Sequence, residues 1–257
     1  MSIEATQFIH PNAKIGKNVK IGPMVVIEED VEIGDGTEIA HHVTILNGSR
    51  IGKNVKISSN VVISVIPQDL KFSGEHALTE IGDNTVIREY ASVSRGTAAS
   101  GTTKIGKNCF LMTYSHVSHD CVVEDNCILV STTQLAGHIE VGEHSILGGG
   151  TIVHQFSKIG KHTMVGGGAV VRKDIPPYAK VAKEPLTFYG VNIVGLRRKG
   201  FSNDVIFEIQ AIYKVIYDSG LNFTKAANLV EEDFPQSEHR DTILDFIRSS
   251  DRGILSN

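Results

Sequence analysis

The stretch Ile45-Leu46-Asn47-Gly48-Ser49-Arg50-Ile51-Gly52-Lys53-Asn54-Val55-Lys56-Ile57-Ser58-Ser59-Asn60-Val61-Val62-Ile63 decides the fold. An aliphatic residue returns every sixth position. Stepping by six from Ile3 to Val171, the slot holds Ile, Val or Leu throughout, broken only at Asp69, Glu75 and Ala99. Four residues after each aliphatic lies a second slot that is small or β-branched, as at Ala13, Val19, Val25, Val31, Thr37, Val43 and Ser49. Gly often follows the aliphatic directly, as in Ile15-Gly16-Lys17-Asn18, Ile81-Gly82-Asp83-Asn84 and Ile159-Gly160-Lys161-His162. These are hexapeptide repeats, short β-rich pieces punctuated by turn-forming Gly, Asn and Asp.

A helix would repeat its apolar positions at three or four residues and an exposed antiparallel strand at two. A period of six with two inward slots fits a coiled ladder of parallel strands. No hexad can bury its own aliphatic, so stability comes from stacking neighbours. Two stretches interrupt the coil as ejected loops, near 67–80 and near 95–104, and loops on a rigid scaffold commonly carry function. The hexads end near Pro176-Pro177. Beyond Gly200 the period turns helical: Ser202 is the N-cap, Ile206, Ile209, Tyr213 and Ile216 recur at helical spacing, and Gly220 stops it. Shorter helices are expected at Thr224 to Asp233 and Ser237 to Ser249. The reading is an all-β solenoid over 1–187 with an α-helical C-terminal domain over 188–257.

The chain has 257 residues, a formal net charge of −4 and 41% hydrophobic residues, which suits neither a nucleic-acid binder nor a disordered acidic tail. No window approaches the roughly 18 apolar residues of a membrane span. Met1-Ser2-Ile3-Glu4-Ala5 lacks the basic and then apolar stretch of a secretory signal, so a cytoplasmic location is expected. Cys109, Cys121 and Cys127 all fall in the second inward slot and read as small buried hydrophobes, not as a metal or disulfide set.

Among 11 His, His10, His41, His42 and His239 read as isolated, and His144 and His162 as a stack on consecutive coils. The dense group is His116-Val117-Ser118-His119-Asp120-Cys121, then Ala136-Gly137-His138, then His154-Gln155-Phe156. With three hexads per coil, residues 18 apart sit one rung apart, about 4.8 Å. The columns are then Ser118/Ala136/His154, His119/Gly137/Gln155 and Asp120/His138/Phe156, over a core of Val117, Leu135 and Val153. Such an outward patch suits three roles: a His metal site, a His general base beside a carboxylate with the Gly137 N–H as oxyanion donor, or His lining a subunit contact.

The hexads resemble the hexapeptide-repeat acyltransferase superfamily, which implies a left-handed parallel β-helix; the spacing itself does not give the hand. The γ-class carbonic anhydrases are metal-binding relatives in this architecture. Ser115 to Cys121, Leu135 to His138, Val153 to Phe156, Asp69-Leu70-Lys71, Tyr189 to Asn192 and Gly195 to Phe201 together resemble the bacterial UDP-N-acetylglucosamine O-acyltransferases. These catalyse the first step of lipid A biosynthesis. The resemblance implies transfer of a (3R)-hydroxyacyl chain from the phosphopantetheine thioester of acyl carrier protein to the glucosamine 3-hydroxyl. No cofactor or metal is then bound.

By the same resemblance His119 is the general base, Asp120 its support and Gly137 the oxyanion donor. His138 and Gln155 contact ligand, and His116 and His154 flank the cleft. Asp69 and Lys71 hold sugar and phosphate. Asn192, Arg198 and Lys199 form a nucleotide segment supplied by a neighbouring subunit of a homotrimer. Val194 stands where many members carry an acidic residue. Gly167, with Met164 nearby, matches the position that gauges acyl-chain length. Acyl carrier protein is acidic, so Lys158, Lys161, Arg172, Lys173 and Arg197 to Lys199 are candidate docking cations. The competing readings are an acetyl-CoA-dependent acetyltransferase and a metal-dependent or noncatalytic β-helix on the same scaffold.

Overall fold

A computed structural model describes residues 7–257; Ile3, the first hexad position, and the Met1–Ala5 stretch lie outside the described residues. The hexads form a three-sided, left-handed parallel β-helix. The first face has nine strands, from Phe8–Ile9 to Val170–Val171, and the second has eight, from Lys14–Ile15 to Lys158–Ile159. The third begins at Lys20–Ile21 and has ten. The expected rung register holds: Val117 pairs with Leu135, and Leu135 with Val153.

Beyond the first rung both inward slots of the hexads are buried. Ile27, Ile45 and Ile63 have no exposed surface, nor do the second-slot residues Val25, Val43 and Val61. The three cysteines are buried in that slot without a disulfide. At most corners the third residue after the aliphatic turns with positive φ, as at Asn18 (58°), Asn54 (53°), Asn84 (59°), Asp120 (60°) and His138 (61°). This left-handed region costs most side chains about 1–2 kcal/mol and is most accessible to Gly, Asn, Asp and His. Asn, Asp and His accordingly recur at the prism's edges, and Asp120 and His138 are two of these corner residues.

The loops leave between Val62–Val65 and Leu78–Ile81 and between Ser92–Ser94 and Thr102–Ile105. Each insert adds a whole multiple of six residues, which is why the hexad phase survives both. Both run from a first-face strand to a second-face strand, so both project from the same edge.

The coil does not stop at Pro176-Pro177. Ile175 bridges Ile159, and Val181 in the strand Ala179–Ala182 pairs in parallel with Val165. Proline is tolerated there because the next third-face strand begins only after the turn. The strand Thr187–Val191 then adds antiparallel to Ala179–Ala182, so a division at 187/188 falls inside a strand and the helices begin at Ile193. The first helix, α1 (Ile193–Arg198), has too few residues to show a period, and its sequence gave no signal.

The remaining helices follow their expected places: α2 (Asn203–Asp218), α3 (Phe223–Asp233) and α4 (Glu238–Arg248). The Ser202 hydroxyl accepts from Val205 N–H, the expected N-cap, and Ser237 caps α4 in the same way. Ile206, Ile209, Tyr213 and Ile216 pack with Val230, Ile243 and Leu244 in a second core. Tyr178 joins this cluster and ties it to the coil. His239 is not isolated: its ring packs against Tyr178 and Phe201.

Candidate active site

His119 and Asp120 occupy the edge from which both loops project, directly outside the Val117/Leu135/Val153 stack. His119 Nδ1 lies 2.8 Å from Asp120 Oδ2. The second of the two loops closes over the carboxylate. Thr97 N–H donates to Oδ1 at 2.9 Å and Thr97 Oγ1 to Oδ2 at 2.7 Å, while the Ser100 hydroxyl donates to Oδ1. Burial works against the charged form of Asp120, but the donors from Ser100, Thr97 and His119 outweigh it and hold its carboxyl down to about 2. Asp120 is therefore ionised at any ordinary assay pH, and an acid limb in a pH–rate profile belongs to another group.

An anionic acceptor at Nδ1 fixes the His119 proton on that nitrogen and leaves Nε2 as the free base lone pair. The ring lies over Gly137: a Cβ placed there would come within 2.6 Å of His119 Cε1 and 2.8 Å of Nε2. The carbonyl of Gly137 accepts from Phe156 N–H, whereas its own N–H has no partner among the described residues. His138 stands edge-on to His119 with centroids 5.1 Å apart, and stacks on Phe156 at 4.5 Å. A cleft of about 1100 Å³ opens from Asp120, His138 and Phe156 along the second face toward Phe246 and Arg252.

The other expected residues are distributed unevenly. His116 accepts or donates at Nδ1 with the Ser92 hydroxyl at 2.8 Å, and burial, then the neighbouring His119, pushes its pKa below the usual imidazole value. His154 and Gln155 are exposed, and the recorded contact of the His154 ring is with the Gln155 carbonyl, so His154 does not join the His119–Asp120–His138 group. Asp69 and Lys71 sit on the first loop, where Asp69 Oδ1 accepts from Lys71 N–H at 3.0 Å, beside the fully exposed Leu70. The Asn192 side chain accepts from Gly195 N–H as the cap of α1 and donates to the His162 carbonyl at 2.9 Å. Arg198 and Lys199 are exposed at the end of α1.

These groups lie on different edges of one prism. His119 stands between the first and second faces. His144 and His162, stacked at 4.9 Å, lie between the second and third, and Asn192 and Lys199 gather there. Gly167, exposed after the strand Met164–Val165, lies between the third and first; a Cβ on it would meet only Gly149, at 3.2 Å from its carbonyl oxygen. Three of the candidate docking cations are engaged within the chain: Lys158 donates to the Ser249 carbonyl, Lys161 pairs with Glu238 at 3.4 Å, and Arg197 donates to Asn203 Oδ1 at 3.4 Å.

His119, Asp120 and His138 present ligand atoms within 4.8 Å of one another, a set that can hold a metal ion. Asp120, however, already has both oxygens hydrogen-bonded, and His119 Nδ1 is one of the partners. Thr97 and Ser100 escaped the sequence reading beyond their being in a loop. The available signal was positional: counting hexads places that insert on the edge of Asp120.

A family model described as UDP N-acetylglucosamine O-acyltransferase, domain 2, matches residues 174–255. The bacterial transferase hexapeptide model matches 12–47 and 102–137. An acyl-(acyl-carrier-protein)–UDP-N-acetylglucosamine O-acyltransferase of Sulfurihydrogenibium is 48% identical over 99% of this chain and 94% of its own length. One from Thermodesulfovibrio yellowstonii is 38% identical over 98% of each. The crystal structure of a UDP-N-acetylglucosamine acyltransferase from Bacteroides fragilis superposes with a TM-score of 0.96 at 46% identity, covering 99% of this chain and 100% of that one.

Proposed function

Because the chain belongs to the UDP-N-acetylglucosamine O-acyltransferase family, we propose that its His119–Asp120 pair transfers a (3R)-hydroxyacyl chain from acyl carrier protein to the glucosamine 3-hydroxyl of UDP-N-acetylglucosamine. The observation that carries this reading is the Nδ1–Oδ2 contact of a ring packed on Gly137, whose N–H has no partner among the described residues. His119 Nε2 takes the hydroxyl proton as the sugar oxygen attacks the thioester carbonyl. Asp120 fixes the tautomer and stabilises the imidazolium that forms. Gly137 N–H donates to the developing oxyanion. Collapse forms the ester, breaks the C–S bond and releases the phosphopantetheine thiolate, which recovers the proton from His119.

His138, with its apolar backing at Phe156, and His116, Gln155 and His154 line the approach. Arg198 and Lys199 take the diphosphate, where the planar donors of Arg can bind two oxygens at once. Asn192 serves there by ordering α1. The catalytic edge and the Arg198/Lys199 edge belong to different sides of the prism, so a complete site draws on more than one chain. Surface chemistry supports a homotrimer. The second face alternates charge, with Lys14 bonded to Glu32 and Arg50 to Asp30. The first face and its border with the third instead expose Phe8 (60%), Met24 (53%), Tyr114 (55%) and Ile152 (52%). An apolar strip of this kind marks an association surface, and a heterologous contact that closes on itself makes a ring. No helix among the described residues is long and apolar enough to cross a membrane, and the reaction is placed in the cytoplasm.

Purified protein is expected to convert UDP-N-acetylglucosamine and hydroxyacyl carrier protein to an acylated UDP-sugar detected by mass, and to be inert with acetyl-CoA. Prolonged chelation leaves the rate unchanged, because both Asp120 oxygens are served by protein donors. Product from acetyl-CoA alone, or loss of turnover on chelation with restoration by a metal, contradicts the reading.

Gly167 is proposed to leave the far end of the acyl groove open. Gly167→Met fills that space and shifts preference toward a shorter hydroxyacyl donor. A competition assay with donors of graded length reads the shift, and an unchanged preference removes the assignment.

A further inference from the structure

We propose that Thr97 is a positioning residue of the reaction: it clamps the Asp120 carboxylate in the plane and rotamer from which Oδ2 meets His119 Nδ1. The inference rests on the general-base reading of His119 and assigns a role to a loop residue outside the hexad pattern. Thr97 makes two bonds to one carboxylate, N–H to Oδ1 at 2.9 Å and Oγ1 to Oδ2 at 2.7 Å. Two donors from one residue, directed at different oxygens, fix both the position and the twist of the group. Oδ2 is thereby shared between the Thr97 hydroxyl and His119 Nδ1.

The backbone of Asp120 is held from the same side, since its N–H donates to Thr103 Oγ1 at 2.8 Å. Asp120 also occupies a left-handed corner, φ 60°, where the chain turns sharply and neighbouring rungs supply none of these carboxylate donors. Thr97 is 5% exposed, which keeps water from competing for the carboxylate. The clamp is in turn supported by the first loop: Glu75 Oε1 accepts from Ala98 N–H at 3.0 Å, one residue beyond Thr97. The interruption of the coil at this edge thus does chemical service. A regular hexad would place one residue at the corner; the insert folds back and delivers a hydroxyl and an amide to it.

Without the Thr97 hydroxyl the carboxylate keeps its contacts to Thr97 N–H and Ser100, but Oδ2 is free to turn away from His119. Misplacement of a catalytic group by an ångström costs up to about 100-fold in rate. Thr97→Val keeps side-chain volume and the N–H. It is expected to lower kcat by about tenfold or more with the KM for UDP-N-acetylglucosamine unchanged, and Thr97→Ser restores most of the rate. The decisive arm is a double-variant cycle. In Asp120→Asn protein, adding Thr97→Val is expected to lower kcat no further, because Thr97 acts only through that carboxylate. Thr97→Val at the wild-type kcat, or losses that multiply in the double variant, overturns the proposal while leaving the His119 reading intact. Asp120→Asn at the wild-type kcat removes the supported-base reading itself, and the proposal with it.

Discussion

His119→Ala is expected to lower kcat by about 10²- to 10⁴-fold, the span over which a positioned general base contributes. The loss follows from a single atom: Nε2 is the free lone pair of a ring whose Nδ1 is committed to Asp120 at 2.8 Å. The fold survives the substitution, because the core beneath this edge is Val117, Leu135 and Val153, each at most 1% exposed, and the imidazole contributes nothing to that stack. Melting temperature should move little while turnover collapses. The KM for the sugar should change far less than kcat, since the missing proton transfer is felt only as the oxygen attacks.

Gly137→Ala is expected to approach the same loss without removing any polar group. The added methyl would stand 2.6 Å from His119 Cε1, a separation that carbon atoms do not sustain, so the ring must move. Its Nδ1 is tied to a carboxylate that is itself held by Thr97 and Ser100, so the ring cannot swing away without giving up that bond. A displacement of about an ångström costs on the order of 100-fold. Backbone strain is not the cause, because Gly137 does not adopt the left-handed conformation that neighbouring His138 does. The two variants should be strongly non-additive: once His119→Ala has removed the ring, the extra methyl has nothing left to displace. Steady-state kinetics of the two single variants and the double variant read this directly, and a fully active Gly137→Ala would show that the ring is not confined over this glycine.

The solenoid was legible because its driving force repeats. Each inward Ile, Val or Leu is buried by its neighbours on the next rungs, so one hexad's preference is stated many times over, and the register of 18 follows wherever no insert intervenes. The columns His119 over Gly137 and Asp120 over His138 came directly from that register. His154 did not join them because its column, Ser118/Ala136/His154, lies two positions before the corner, one further back than His119, and its side chain stays exposed. Thr97 and Ser100 were illegible as carboxylate donors because an ejected insert has no rung and hence no predicted neighbour. Asn192 shows a different limit. Its side chain is occupied as the cap of a helix too short to announce itself by periodicity, so a residue matched to ligand contact is found ordering the segment that carries Arg198 and Lys199. The separation of the expected site residues among three edges follows from counting hexads to the corners. The consequence proposed from it, a site assembled from more than one chain, lies beyond any single repeat.

The central claim is that the imidazole at position 119 carries the proton. It is tested most directly by quantifying acylated UDP-N-acetylglucosamine formed by equal amounts of wild-type and His119→Ala protein, with and without added imidazole. The account predicts near-complete loss in the variant and partial recovery when free imidazole supplies the missing base. Wild-type product yield from His119→Ala in the absence of imidazole would contradict it.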